Sequence, residues 1–222
     1  MPIPQMDELK AQLVAYGQFV QEMIEKSRRA LITRQPELPR EIIDTDEPRA
    51  NKTEIDLEAE CTSLIARHQP MAKELRTILM VMGITNDLER IADHSVNIAE
   101  AVVEHINGTT LRPEDDVLTM FEEAIHMVDG AIRAFIDEDP ALGQKVCESD
   151  NTVDDLATRI LEGLSASMTS TPTTVPECLA LLKIAGNLER IADLSTNIGE
   201  DVIYMTEGRV IKHHLEEDAK ER

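Results

Sequence analysis

Forty-three acidic and 22 basic residues in a chain of 222 leave a formal charge of −21. That charge repels the phosphates of nucleic acid and of anionic lipid, and leaves cations and basic protein surfaces as partners. Aromatic residues make up 2% of the chain and Trp is absent, so the core must be Leu, Ile, Val, Met and Ala, which suits a helix bundle better than a β-sandwich.

Cys61, Cys147 and Cys178 lie far apart, without the paired spacing of zinc or redox sites, and read as small buried thiols of a reducing compartment. Met1 to Asp7 carries no basic stretch leading into an apolar one, and no segment reaches the ~18 uncharged apolar residues of a membrane span. A cytoplasmic protein with no direct membrane insertion is expected.

In chain order, Leu9, Leu13, Tyr16, Val20, Met23 and Ala30-Leu31 recur at helical steps and predict a helix from Met6 to Thr33. Pro36, Pro39 and Pro48 are expected to interrupt the chain before a second helix from about Asn51 to His68, closed by Pro70. A long periodic segment follows from Met71 to Asn107, roughly 50 Å at the rise of an α-helix, with Asn107-Gly108 as its stop. Gly108 to Pro113 reads as a turn-rich connection. Val117, Met120, Phe121, Ala124, Val128, Ile132 and Phe135 then predict a counterpart of the first helix, and Asp139-Pro140 starts the next with Pro in its first turn. The last helix begins near Thr173-Thr174-Val175-Pro176 and ends near Gly208, before a charged tail.

Leu88-Glu89-Arg90-Ile91-Ala92-Asp93 recurs as Leu188-Glu189-Arg190-Ile191-Ala192-Asp193, 100 residues later, and 11 of the 15 positions from Leu88 to Val102 are identical in the two copies. The predicted fold is therefore all-α, with six helices in two tandem pseudo-repeated three-helix bundles. The first bundle spans 1–108, the second 109–212, and the charged tail 213–222.

At ~100° per residue, Glu89, Asp93, Asn97 and Glu100 share one helix face, while Ile84, Ile91, Ile98 and Val102 lie opposite. Glu189, Asp193, Asn197 and Glu200 repeat the stripe, and both stripes are expected on the surface, away from the apolar seam. A pair of carboxylates one turn apart is ordinarily a solvated face that Arg90 or Arg190 can offset. Duplication of the set favours a metal platform, since carboxylate and amide oxygens suit hard cations once other helices complete the coordination. Asp150 and Asp154 supply such a second pair; Glu47 and Asn51 lie at the comparable place in the first half, where the Asn weakens the site.

Glu123 and His126 have the Glu-x-x-His spacing of di-iron bundles, but the pair occurs once, and His126 lies opposite the apolar stripe of its helix. His94 and His105 lie beside the acidic stripe, and His213-His214 has no partner at useful spacing; all are read as solvated. The chain offers no Gly-rich phosphate loop, no Ser-His-Asp set and no Cys nucleophile site, so no enzyme is expected.

These residues resemble the PhoU family, whose members carry a Leu-Glu-Arg-Ile-Gly-Asp-like motif in each of two three-helix bundles; Leu88 to Asp93 and Leu188 to Asp193 fit, with Ala92 and Ala192 in place of Gly. Gln69-Pro70 and Leu75-Arg76 also resemble the family's segment before the first motif, so the likeness runs from about Met6 to His213. The resemblance implies a cytoplasmic negative regulator of phosphate uptake and of Pho regulon signalling. Its implied partners are PstB, the ATPase of the Pst phosphate transporter, and the histidine kinase PhoR. It also implies iron, zinc or other divalent metal such as magnesium, held by Glu89 and Asp93, by Glu189 and Asp193, and by Asp150 and Asp154. Glu47, Asn97, Glu100, Asn197 and Glu200 are secondary candidates resting on helix geometry. A homodimer is expected from the exposed stripes and residual apolar surface. Two other readings stay open: a carboxylate bundle serving as metal-dependent enzyme or metal store, and a PhoU-like regulator of a different ion transporter.

Overall fold

The computed structural model describes residues 5–106 and 115–207. Helix α1 spans Met6–Thr33; α2 (Glu37–Glu41), a π-helical turn (Ile42–Asp46) and α3 (Glu47–His68) form one run; α4 spans Lys73–Ile106. The second half comprises α5 (Asp115–Asp137), α6 (Pro140–Ser170), a 3-10 turn (Pro172–Thr174) and α7 (Val175–Glu207). The described residues contain no strand. The 108/109 and 212/213 boundaries, the expected stops at Asn107-Gly108 and Gly208, and the charged tail lie outside the described residues.

Helices α1, α3 and α4 form one bundle and α5, α6 and α7 the other, joined where α4 packs on α7 and α1 on α5. Gly83 of α4 lies against Asp201 of α7, and His94 against Asn187, so these two helices run antiparallel. Ile132 of α5 fills the space over Gly17 of α1. A single apolar core runs through both halves, including Leu13, Ile24, Ile84, Ile91 and Ile98 with Phe121, Val128, Ile184, Ile191 and Ile198. The core is aliphatic with few rings, as composition requires.

The interruption expected at Pro36 is present, in the break between α1 and α2, whereas at Pro39 and Pro48 the backbone stays helical from Glu37 onward. Pro39 stands in the first turn of α2, where its missing N–H has no helical partner to lose. Pro48 stands in the first turn of α3 just after the π turn, whose extra residue shifts the hydrogen-bond register and accommodates the ring. Lys26 of α1 holds this turn in place, donating to Asp46 Oδ2 at 2.6 Å and Glu41 Oε1 at 2.8 Å. The Asp139-Pro140 start is as expected: Asp139 Oδ1 accepts from the N–H of Ala141 and Leu142 at 2.9 and 3.2 Å.

At the α6–α7 crossing, Gly143 and Gly199 meet. A Cβ on Gly143 would lie 2.8 Å from the Gly199 carbonyl oxygen, and one on Gly199 would lie 2.9 Å from that of Gly143. The absence of side chains lets the helices close up, bringing Asp154 of α6 alongside Glu189 of α7 further along the same groove.

Candidate functional site

Half-buried Glu89 and exposed Asp93 stand one turn apart on α4, and Glu54 of α3 is close enough to act electrostatically on Glu89 and to feel Asp93. Burial foremost, then Asp93 and Glu54, pushes the Glu89 carboxyl up to about 7 against the pull of Arg90, with Glu47 adding a smaller repulsion. Burial also raises Glu54, followed by Glu58 and Asp93. Beneath the carboxylates lies Tyr16 of α1, 2% exposed, its Oη without a hydrogen-bond partner. Burial, then Glu54, Glu89 and Asp93, holds the proton on that phenol well beyond the usual tyrosine range. Asn51 Oδ1, on α3 between Glu47 and Glu54, is likewise buried without a partner.

The second groove repeats the arrangement. Burial, then Asp193 and Asp154, raises the Glu189 carboxyl, opposed by Arg190, whose Nη1 donates to Asp193 Oδ2 at 3.1 Å. A cleft of about 490 Å³ opens beside it, lined by Asp154, Ala157, Leu161, Ala185, Gly186 and Glu189. Glu54, Glu89 and Asp93 thus stand 100 residues before Asp154, Glu189 and Asp193 and play the same geometric parts.

Two sequence expectations change. The stripes are only partly on the open surface: Asp93, Glu100 and Asn197 are exposed as expected, while Glu89, Asn97, Glu189, Asp193 and Glu200 are half-buried. On α3, Glu54 acts on Glu89 more strongly than the expected Glu47 does, and Asn51 lies between the two. Glu47 touches the cluster only weakly, and position 50, the counterpart of Asp150, is the buried Ala50.

Asp150 and Glu200 flank Cys147, whose thiol burial and these two carboxylates push up to about 11, so they mark a neighbouring part of the α6–α7 groove. Asn97 is half-buried one turn beyond Asp93; Glu100 and Asn197 are exposed. His94 does not join the stripe. Its Nδ1–H donates to Asn187 Oδ1 at 2.9 Å, a direction set by the Asn187 amide, which donates to the Lys183 carbonyl at 2.7 Å. His126 is exposed, as its helix phase predicts. Cys61 and Cys178 are buried and Cys147 half-buried.

In chemistry, though not in grouping, the donors suit a hard cation: carboxylates from two helices in each half, with the orphaned Tyr16 hydroxyl and Asn51 amide oxygen in the first. Among the described residues, no three His, Cys, Asp or Glu side chains are placed so that together they could hold a metal ion. Like charges splay apart or take up protons until a cation offsets them; at Glu89 burial is the chief cause of the raised carboxyl, with Asp93 and Glu54 adding to it. Glu54 forms a one-turn acidic pair with Glu58, and carrying the 100-residue register back from Asp154 locates it. Nothing in the sequence pattern marks Tyr16, which occupies an ordinary core position of α1.

The sequence profile of the PhoU domain matches residues 13–102 and again 117–202, covering both bundles. The PhoU homologue of Aquifex aeolicus, a phosphate-specific transport system accessory protein, is 35% identical over 96% of each chain. A second such homologue, from Thermotoga maritima, is 32% identical over 96% of this chain and 90% of its own. The crystal structure of PhoU from Pseudomonas aeruginosa superposes with a TM-score of 0.87 at 29% identity, over 92% of this chain and 98% of that one. Two matched domains, near-complete relatives and a superposable crystal structure, together with a duplicated acidic motif in matching grooves, establish that the chain belongs to the PhoU family.

Proposed function

We propose that this protein is a cytoplasmic negative regulator of phosphate uptake and Pho regulon signalling. It works by docking on the Pst transporter ATPase PstB and the histidine kinase PhoR, not by turnover. The reading is supported by relatives named as accessory proteins of phosphate-specific transport. No described helix is long and apolar enough to cross a membrane, so contact with a transporter falls to its surface.

The observation that carries the reading is the paired groove: the same three carboxylates, at the same places in both bundles, each with a half-buried and proton-hungry glutamate. Glu54, Glu89 and Asp93 would hold iron, zinc or magnesium at the first groove, and Asp154, Glu189 and Asp193 at the second, with Asp150 adjoining. A bound cation supplies Lewis-acid positions open to a carboxylate or phosphate oxygen of the partner. Arg90 and Arg190 border the motifs, and Leu161, 53% exposed, gives the second cleft an apolar rim for docking.

The test measures PstB binding and metal content for the wild type and the Glu89→Ala/Asp93→Ala and Glu189→Ala/Asp193→Ala proteins. Loss of metal and weaker binding in the variants are expected. If both quantities stay at wild-type values, the stripes are solvated faces and the reading falls.

A further inference from the structure

Seven large apolar side chains are exposed among the described residues, and four of them form two repeat-related pairs. Leu79 and Leu179, 47% and 56% exposed, stand 100 residues apart on α4 and α7. Ile32 and Ile136 stand 104 apart on α1 and α5, the register set by the matched domain starts at 13 and 117. The repeat is therefore carried on the surface as well as in the core. On α4, Leu79, Asn86 and Arg90 follow one another at steps of seven and four residues and are all exposed, so they line one stripe; Leu179, Gly186 and Arg190 repeat it on α7. Gly83 of α4 lies against Asp201 of α7, and His94 is bonded to Asn187. These contacts put the axis that exchanges the two halves beside Arg90 and Arg190. For antiparallel neighbours such an axis stands perpendicular to the plane the two helices share, so both stripes look out from one face. Leu79 and Leu179 each lie 11 residues from the arginine of their stripe, about 17 Å of helix, in opposite directions.

We propose that the α4–α7 face docks across the twofold axis of a homodimeric protein partner, one chain spanning both partner subunits. The inference rests on the reading of this protein as a docking regulator of the Pst transporter, and it specifies the geometry of that contact. Met82 and Leu182, partly buried against the core, enlarge the apolar end of each stripe. Glu89 and Asp93 border one stripe and Glu189 and Asp193 the other, on a chain whose net charge is −21. The complementary surface is therefore an apolar socket rimmed by Lys and Arg on each partner subunit, with carboxylates at the partner's axis to face Arg90 and Arg190. A rigid body that carries both stripes engages two identical sockets at once, and the second contact forms at high effective concentration. A partner without a twofold axis meets one stripe and leaves the apolar end of the other in water.

The test counts chains by native mass spectrometry in the complex of the full-length protein with the purified Pst transporter, and measures affinity for the wild type, Leu79→Glu, Leu179→Glu and the double variant. The expected result is one chain for every two of PstB. Each single change should lower affinity alike, by on the order of a hundredfold, and the double change should abolish binding. Ile32→Glu and Ile136→Glu lie one turn from Arg29 and Arg133 on the opposite, α1–α5 side, and should bind as the wild type does. All four positions are exposed, and unchanged helix content and melting in the variants separate docking from folding. One chain bound per PstB chain, or a full effect from one leucine and none from the other, overturns the twofold contact and leaves the regulator reading in place. Self-association of the wild type that the leucine changes dissolve, with PstB binding untouched, assigns the face to a second copy and also overturns it. Failure of the wild type to bind the transporter overturns both.

Discussion

Replacing Asp87 by Asn is expected to stabilise the protein at neutral pH and to leave it unchanged near pH 4. Asp87 lies on the side of α4 that faces α7, 13% exposed, with Asp201 across the interface and Arg90 Nη1 3.6 Å away. Burial, then Asp201, pushes its carboxyl up to about 6 from an ordinary 3.8, and Arg90 only partly opposes this. Because the folded value is the higher one, the folded state holds this proton more tightly. Stability on this account is fully present below about pH 4 and is lost as pH rises through about 6. Roughly two pH units at 1.36 kcal/mol each bound the loss at ~3 kcal/mol, and relaxation around a partly wetted group brings the expected figure to ~1–3 kcal/mol. Asn keeps the shape and carries no charge, and the repeat already has Asn187 at the equivalent place. Thermal unfolding of metal-free protein should show Asp87→Asn melting higher at about pH 7.5, by ~2–4 °C per kcal/mol for a chain of this size. The gap should close on acidification. An Asn variant no more stable at neutral pH, or a gap that does not change with pH, would refute the argument.

Four other outcomes are expected. Gly199→Ala puts a methyl 2.9 Å from the Gly143 carbonyl oxygen and should cost ~1–3 kcal/mol by prising α6 from α7, measured by urea unfolding. Lys26→Met leaves Asp46, 7% exposed at its side chain, without its 2.6 Å partner; a loss of ~2–3 kcal/mol is expected, largely recovered by the second change Asp46→Asn. Tyr16→Phe in metal-free protein should be neutral or stabilising by up to ~2 kcal/mol, since the lost hydroxyl has no partner. Metal binding at the first groove should displace the proton that Glu89 holds up to about 7. Affinity should therefore fall between about pH 8 and 6, and calorimetry in buffers of different ionisation enthalpy should register proton release.

Much of this fold could be read from the sequence, for physical reasons visible in particular elements. Apolar steps from Leu9 to Leu31 placed α1, and Asp139-Pro140 placed the start of α6, because periodicity and capping are local properties. The run through Pro39 and Pro48 was not legible, since a π turn pinned by Lys26 from another helix decides whether those rings break the chain. The acidic stripes were legible, but the half-burial of Glu89, Glu189 and Asp193 was not. A helical wheel for α4 considers one apolar seam, whereas α4 is packed against α1, α3 and α7, so a face opposite one seam becomes the wall of a groove. His94 shows the same limit, drawn off the stripe by Asn187 of a helix 93 residues away.

The most direct measurement of the central claim is phosphate uptake and intracellular phosphate in phosphate-rich medium, in host cells lacking this protein. Restoration would use either the wild type or a protein carrying Glu89→Ala, Asp93→Ala, Glu189→Ala and Asp193→Ala together. Unrestrained uptake, curbed by the wild type but not by the folded quadruple variant, is the predicted result. Uptake that is unchanged by removal of the protein, or fully curbed by the quadruple variant, would contradict a phosphate regulator acting through its acidic grooves.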